Sequence, residues 1–446
     1  MVISPAGVSV AIDSQNYKNC LHFNIGVDVV MHRNTRFKHG IKRCVVASGL
    51  IAGGESAHAD FLADSKVNLE TRNLYFSRDF RQDGGSLASG QSKAQEWGQG
   101  FMLRADSGYT DGLVGMGVDA IGMLGLKLDS SNAVAGTGLF PTGGDGKSED
   151  EYSKLGLTAK AKVSKSTIKF GSLIFRNQLL LSPDGRLLPQ MFKGGMAEFN
   201  EISNLSIQAA RISSSMSSQS GHWQKLVANR FGGEGDNYTF YGADYKFQPA
   251  STIGLHYGVL DNVFKQYVAN ASHIIKLNES QTLKLDARFS KSSEDGNYRP
   301  IDNKATGLMA TYRINAHSVG FGYQKMIGDD PFPYVANTDP YLTNFIQIND
   351  FGNINEKSWQ ARYDLDFAAY GIPGLGLMAR YVKGDDVKLS GGGTGREWER
   401  DTDVFYAFQG NLKNLSVRVR NATVRSTFGN DLNEYRIIVQ YMLPIL

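Results

Sequence analysis

Between residues 67 and 443, short segments in which apolar and polar side chains alternate recur along the chain. Leu283-Lys284-Leu285-Asp286-Ala287-Arg288-Phe289 and Leu415-Ser416-Val417-Arg418-Val419-Arg420 are clear cases. A period of two belongs to a β-strand, whose successive side chains point to opposite faces. Eighteen such segments can be marked, at 67–77, 95–107, 112–127, 150–163, 166–175, 192–202, 205–216, 239–248, 251–260, 264–276, 281–290, 303–314, 317–326, 357–369, 374–384, 402–410, 414–425 and 432–443. The links between them sort by length. Tight ones follow even-numbered segments, at Gly108-Tyr109-Thr110-Asp111, Ser164-Lys165, Ser203-Asn204, Pro249-Ala250, Asn315-Ala316 and Leu412-Lys413. Long polar ones follow most odd-numbered segments, at 128–149, 176–191, 217–238, 327–356 and 385–401. A β-sandwich has no reason to sort its loops this way. Short turns at one end and long loops at the other, on an even strand count, predict an all-β, 18-stranded antiparallel transmembrane β-barrel.

Composition agrees by exclusion. The 446 residues include 50 Gly and only 11 Pro, aromatics make up 11%, and mean hydropathy is −0.29. Helical spans need about 20 consecutive apolar residues each, and no run of that length occurs. The aromatic content and even patterning argue against a disordered or collagen-like chain. Neither a Gly-rich phosphate loop after a strand nor a Cys/His cluster with metal spacing is present, so no cofactor, metal site or nucleic-acid partner is expected. Gly115, Gly117, Gly122 and Gly125 fall inside one segment and are read as easing curvature and crowding in the wall.

The N-terminal part reads differently. Arg33, Arg36, Lys38, Lys42 and Arg43 precede an apolar core from Cys44 to Ala52, and Ala57-His58-Ala59 has the small-x-small form of a cleavage site. Residues 31–59 are therefore expected to be a secretory signal starting at Met31, with 1–30 an upstream extension and 60–446 the barrel domain. Both cysteines, Cys20 and Cys44, precede the cut, which leaves the mature part free of disulfide or thiol chemistry. It also leaves 41 basic and 41 acidic residues, so the overall charge of +3 comes from the leader.

Further stretches carry a resemblance. Glu96-Trp97-Gly98-Gln99-Gly100-Phe101, Ser107-Gly108-Tyr109-Thr110 and Gly115-Met116-Gly117-Val118-Asp119-Ala120 resemble the opening of the OprD-type outer-membrane carboxylate channels. Asp184-Gly185-Arg186-Leu187-Leu188-Pro189-Gln190, Trp398-Glu399-Arg400-Asp401 and Asn433-Glu434-Tyr435-Arg436 extend the similarity, in order, across the mature chain. The chain departs from many outer-membrane barrels by ending on Pro444-Ile445-Leu446 rather than an aromatic residue. The resemblance implies a narrow, substrate-selective pore, with the loop at 176–191 folded inward as a constriction. It also implies small monocarboxylates, amino acids or aromatic acids, as solutes.

Facing the apolar member of each alternation to lipid turns the charges inward. Twelve basic positions then line the lumen: Arg104, Lys160, Lys162, Lys169, Lys284, Arg288, Arg313, Arg362, Arg380, Arg418, Arg420 and Arg436. Five acidic ones accompany them: Asp106, Asp119, Asp286, Asp364 and Asp366. A ladder of cations could replace an anion's hydration stepwise, and arginine matches a carboxylate bidentately. Arg104, Arg362, Arg380, Arg418, Arg420 and loop residue Arg186 are the candidate solute-binding positions, with Asp119, Asp364 and Asp366 as pore acids. The alternative is that these arginines only brace the lumen against Asp364, Asp366 and loop acids. The 327–356 loop, with Pro331-Phe332-Pro333-Tyr334 and Tyr341, could form a second inward wall. With the brief 261–263 link it leans the reading toward an aromatic acid. An enzyme would need an active constellation, and His222 beside Ser218 and Ser220 has only spacing to offer, not the geometry of a triad. A purely structural or adhesive barrel is the third reading. Outer-membrane lipid and, during biogenesis, the barrel-assembly machinery are the expected partners, while monomer or homotrimer stays open.

Overall fold

The structure, a computed structural model, describes residues 61–446. The expected leader at 31–59 and the extension at 1–30 lie outside the described residues. The strands are β1 (Lys66–Phe80), β2 (Lys93–Asp106), β3 (Gly115–Asp129), β4 (Glu151–Val163), β5 (Ser166–Leu173), β6 (Met191–Phe199) and β7 (Leu205–Met216). Two short ones follow, β8 (Leu226–Val227) and β9 (Glu234–Gly235), then β10 (Tyr238–Gln248), β11 (Ser251–Leu260), β12 (Phe264–Lys276), β13 (Gln281–Glu294) and β14 (Asp302–Ile314). The wall continues with β15 (His317–Ile327), β16 (Lys357–Asp366), β17 (Leu375–Lys388), β18 (Thr394–Ala407), β19 (Leu415–Ser426) and β20 (Leu432–Pro444). Eighteen of these form one antiparallel sheet, and β8 pairs with β9 in a separate loop hairpin. The sheet closes because β1 pairs with β2 on one side and with β20 on the other, from Asn68↔Pro444 to Phe80↔Leu432. Closure leaves no edge strand, which is what a bilayer demands of a sheet.

The alternation seen in the sequence sorts side chains as a barrel wall requires. On β4, Leu155 and Leu157 are 70% and 59% exposed on the outer face, whereas Lys154 and Lys160 are buried on the inner one. Turns at the short end are tight. Ser164 and Asn315 adopt left-handed backbone (φ 53° and 50°), the conformation that two-residue hairpins need. The clustered glycines have a more local reason than curvature. A Cβ on Gly125 would sit 2.5 Å from the Tyr152 ring, and one on Gly117 would sit 2.6 Å from the Lys160 side chain. They vacate space for inward side chains of the neighbouring strand, although Gly122 faces open space.

Strands overrun their expected spans at the long-loop end. β13 continues to Glu294, β17 to Lys388, and β18 begins at Thr394 instead of residue 402. The expected long linker at 385–401 is thereby corrected to five residues, 389–393, flanked by strand. At the other end, residues 367–369, expected as strand, form a single 3₁₀ turn over Phe367–Tyr370.

Candidate functional site

The lumen is filled mainly by three loops, joined by Leu139 and Phe140 of the β3–β4 link. Residues 174–190 enter it because they are too apolar for a solvent-exposed tip. Leu187 and Leu188 are fully buried against Leu74, Phe76 and Met102, which project inward from β1 and β2. Phe175, Leu179 and Leu180 pack with Phe192, Tyr238 and Phe240 on the far side. Residues 217–237 lie beside them. The Tyr152 hydroxyl donates to the Ser218 carbonyl at 3.0 Å, and Leu226 and Ala228 join the same apolar cluster. Residues 328–356 complete the plug, fastened by carboxylates of β18. Glu399 accepts the backbone N–H groups of Ile348 and Asn349 at 2.9 and 2.8 Å, and Glu397 accepts from the Asn349 amide at 2.8 Å.

Three cavities remain around this plug. One, of about 380 Å³, lies among the loops and is lined by Arg186, Asp339, Phe345, Gln347, Arg420 and Arg436. Another, of about 700 Å³, lies toward the short turns and is lined by Arg313, Arg362, Arg380, Phe405, Arg418 and Arg420, among others. Arg420 borders both. A third cavity of about 400 Å³ holds Arg104, Asp106, Asp119, Lys169 and Glu198 on β2–β7, away from the β14–β19 wall of the second.

Charges in these cavities are mostly paired. Arg362 grips Asp364 through Nε and Nη2, both at 2.7 Å. Arg418 and Arg420 share Asp403, at 3.4 and 3.1 Å. Asp119 pairs with Lys160 at 2.5 Å. Like Arg104, Lys169 and Arg313, Arg186 has no ion pair among the described residues; its backbone carbonyl accepts from Arg72 at 2.7 Å, but its side chain makes only a long hydrogen bond, 3.4 Å, to the Gly185 carbonyl. Its guanidinium lies 5.2 Å from the centre of the Phe76 ring, with Arg436 4.5 Å from the same ring. Burial, then the nearby Arg436 charge, pull the Arg186 pKa down to about 9, so it stays cationic at neutral pH. In the same cavity, burial raises the Asp339 carboxyl to about 6 against the pull of Arg186 and Arg436.

One pairing in the bracing alternative needs correction. Arg380 does not pair with Asp364 or Asp366; it donates to Asp401 of β18 at 2.7 Å. Asp366 lines the larger cavity beside Asp364 and also accepts the Ala368 N–H at 2.9 Å, capping the turn that follows β16. The Arg380–Asp401 pairing has its root in β18. Residues 394–401 are strand, so Glu397, Glu399 and Asp401, together with Asp403, stand in a row on the inner face, and the inner wall is less basic than the expected tally of five acids implied. Their spacing of two is itself a strand signal. Glu434 was also missed; it is fully buried between Arg78 (2.6 Å) and Arg436 (2.5 Å). His222 meets Ser220 only through its backbone N–H and carbonyl, which gives no base to a nucleophile.

The sequence matches the outer membrane porin, OprD family, over residues 59–445. It is 34% identical to Porin D of Pseudomonas aeruginosa, over 91% of this chain and 97% of that protein. It is 31% identical to the porin-like protein GalP of Pseudomonas putida, over 86% and 93%. Among solved structures, Pseudomonas aeruginosa OccK9 (OpdG) superposes with a TM-score of 0.84 at 42% identity, covering 86% of this chain and all of that one. Pseudomonas aeruginosa OpdK, solved with vanillate, gives 0.81 at 36%, again over 86% and 100%. A closed 18-stranded wall, an arginine-bearing lumen and matches over this extent place the chain in the OprD family of outer-membrane porins, substrate-specific channels of the bacterial outer membrane rather than enzymes.

Proposed function

We propose that this channel admits small carboxylates, aromatic monocarboxylates foremost, along a path from Arg186 past Arg420 to Arg418 and Arg362. The observation that carries this reading is that Arg420 borders both the loop cavity and the larger cavity below it. A guanidinium common to two cavities can take an anion from one and pass it to the next. Arg186, with no ion pair among the described residues, is the entry cation. Arg418 and Arg362, 44% and 38% exposed, keep guanidinium surface free beside their aspartates. Several moderate cation sites within a Debye length of about 8 Å let an anion bind and still leave. Phe345 in the first cavity and Phe405 in the second, the latter 5.0 Å under the Arg418 guanidinium, offer faces to an aromatic ring. The vanillate bound in OpdK is a solute of this chemistry.

The test is reversal potential and single-channel current in planar bilayers with benzoate, vanillate, acetate and a basic amino acid. The double variant Arg186→Gln, Arg420→Gln should lose anion preference and carry less benzoate. Equal anion preference in the variant would overturn the reading and leave the arginines as braces. Preference for the basic amino acid over benzoate would move the solute class.

A further inference from the structure

Lys154 projects inward from β4, and its side chain is only 3% exposed. Its Nζ donates to the Pro189 carbonyl at 2.9 Å and to the Ser217 carbonyl at 2.6 Å. These two acceptors belong to different loops, 174–190 and 217–237. Among the described residues no carboxylate pairs with it; the nearest aromatic ring, Tyr152, lies 6.0 Å from Nζ. An ammonium buried without a counter-ion is costly, and a methionine would fill the same volume without that cost. What the charge gains is two strong bonds to main-chain carbonyls. Pro189 directly follows the buried Leu187-Leu188 pair, and Ser217 lines the cavity that holds Arg186 and Arg420. Among the described residues no other side chain of β4 hydrogen-bonds to both segments: Tyr152 packs in the cluster of Leu187 and Leu188 but donates only to Ser218.

We propose that Lys154 is a positioning residue for the pore, a strap that fixes the two loops to each other and so sets the aperture of the constriction. The inference rests on the reading of these loops as the constriction. The ammonium lies behind the loops rather than in the path, so its role is geometric. This gives the test a sign. Loss of a cation that faces the solute would lower anion current. Loss of the strap would instead widen the passage.

Single-channel recordings of Lys154→Met, Lys154→Gln and Lys154→Arg decide between these. In the Met variant conductance should rise roughly twofold or more as the constriction gives way, with noisier open states and weaker discrimination among carboxylates. The Arg variant keeps a cation with several donors and should retain conductance near that of the parent. Heat-modifiable gel migration checks that the barrel is closed. If the Met variant fails to assemble, the Gln variant, which keeps a polar end but no charge, carries the same expectation. Parental conductance and noise in the neutral variants, or a fall in conductance, would overturn the strap. If the Arg186/Arg420 double variant still changes selectivity in that case, the pore reading stands and only the strap fails. If neither set changes anything, the constriction reading falls and the strap with it.

Discussion

The Arg380 guanidinium meets Asp401 at 3.2 and 2.7 Å, and the two side chains are 11% and 1% exposed. Arg418 sits 3.4 Å from Asp403, is 44% exposed, and shares that aspartate with Arg420. Burial, not residue type, separates their roles. Arg380→Gln leaves an uncompensated carboxylate inside the wall, a loss of about 3–5 kcal/mol for a broken buried pair. We expect heat-modifiable migration at a clearly lower temperature, with anion preference little changed. Arg418→Gln leaves Asp403 with Arg420, so stability should change by less than about 1 kcal/mol while anion preference falls. Lys at 418 should fall between Arg and Gln, because it keeps the charge but loses the planar fork. Equal destabilisation by both variants would make Arg418 a brace as well. Asp339 gives a pH handle in the same passage. Its pKa is raised from 3.8 to about 6, chiefly by burial, so the stability it contributes is full below about 4 and is lost as pH rises through 6. In function the sign is parallel: as pH falls from 7 to 5 the carboxyl becomes neutral and the cavity around Arg186 more positive. Anion preference should therefore rise over that window, and Asp339→Asn should flatten the rise.

At the scale of elements, the loops are held by charges placed on strands. Glu399 fastens residues 348–349, and Glu96 on β2 accepts the N–H groups of Thr137 and Leu139 at 3.1 and 3.2 Å from the loop after β3. Anions hold amides where Lys154 holds carbonyls. Glu399→Ala should free the segment around Ile348 and Asn349 without opening the wall, since its backbone bonds in β18 are untouched. Hydrogen exchange should speed up in 344–353 and not in β17 or β18; faster exchange across the strands would show that Glu399 serves the sheet itself. These anchors were the part least legible in the sequence. The strand count, the pairing of short turns with even strands, and the inward burial of Leu187-Leu188 all follow from period-two patterning and from apolar residues in a loop. The start of β18 does not. There the outward residues, Arg396, Trp398, Arg400 and Thr402, are mainly polar, so no apolar alternation marks the strand. A wall that continues beyond the apolar band no longer needs lipid-facing side chains there. The partner of Arg380 was hidden for the same reason, because Asp401 lies in the stretch that read as a loop.

Taken as a whole molecule, the barrel has two unlike ends. Loops 130–150, 174–190, 217–237 and 328–356 leave the wall at one end, while Ser164-Lys165, Pro249-Ala250 and Asn315-Ala316 close it at the other. Outer-membrane barrels carry their long loops outside and their short turns in the periplasm, so on the proposed path a solute would meet Arg186 before Arg418. Most of the long loop length is spent inside the lumen, which limits where the surface can be probed. Two of the open places serve as probes. Around Gly391 and Gly392, at the tip of the β17–β18 link, an added Cβ would meet nothing within 4 Å, and Gly232 in the hairpin loop is equally free. An epitope inserted at either position should be labelled on intact cells. One inserted between Asn315 and Ala316 should be labelled only after the outer membrane is permeabilised. An insertion at Asp401, eight residues beyond Gly393, should instead prevent barrel assembly, because that side chain is buried against Arg380 on the inner face. Labelling of Asn315 on intact cells, with Gly391 silent, would turn the barrel over. The larger cavity would then receive the solute first, and Arg186 would guard the exit instead of the entrance.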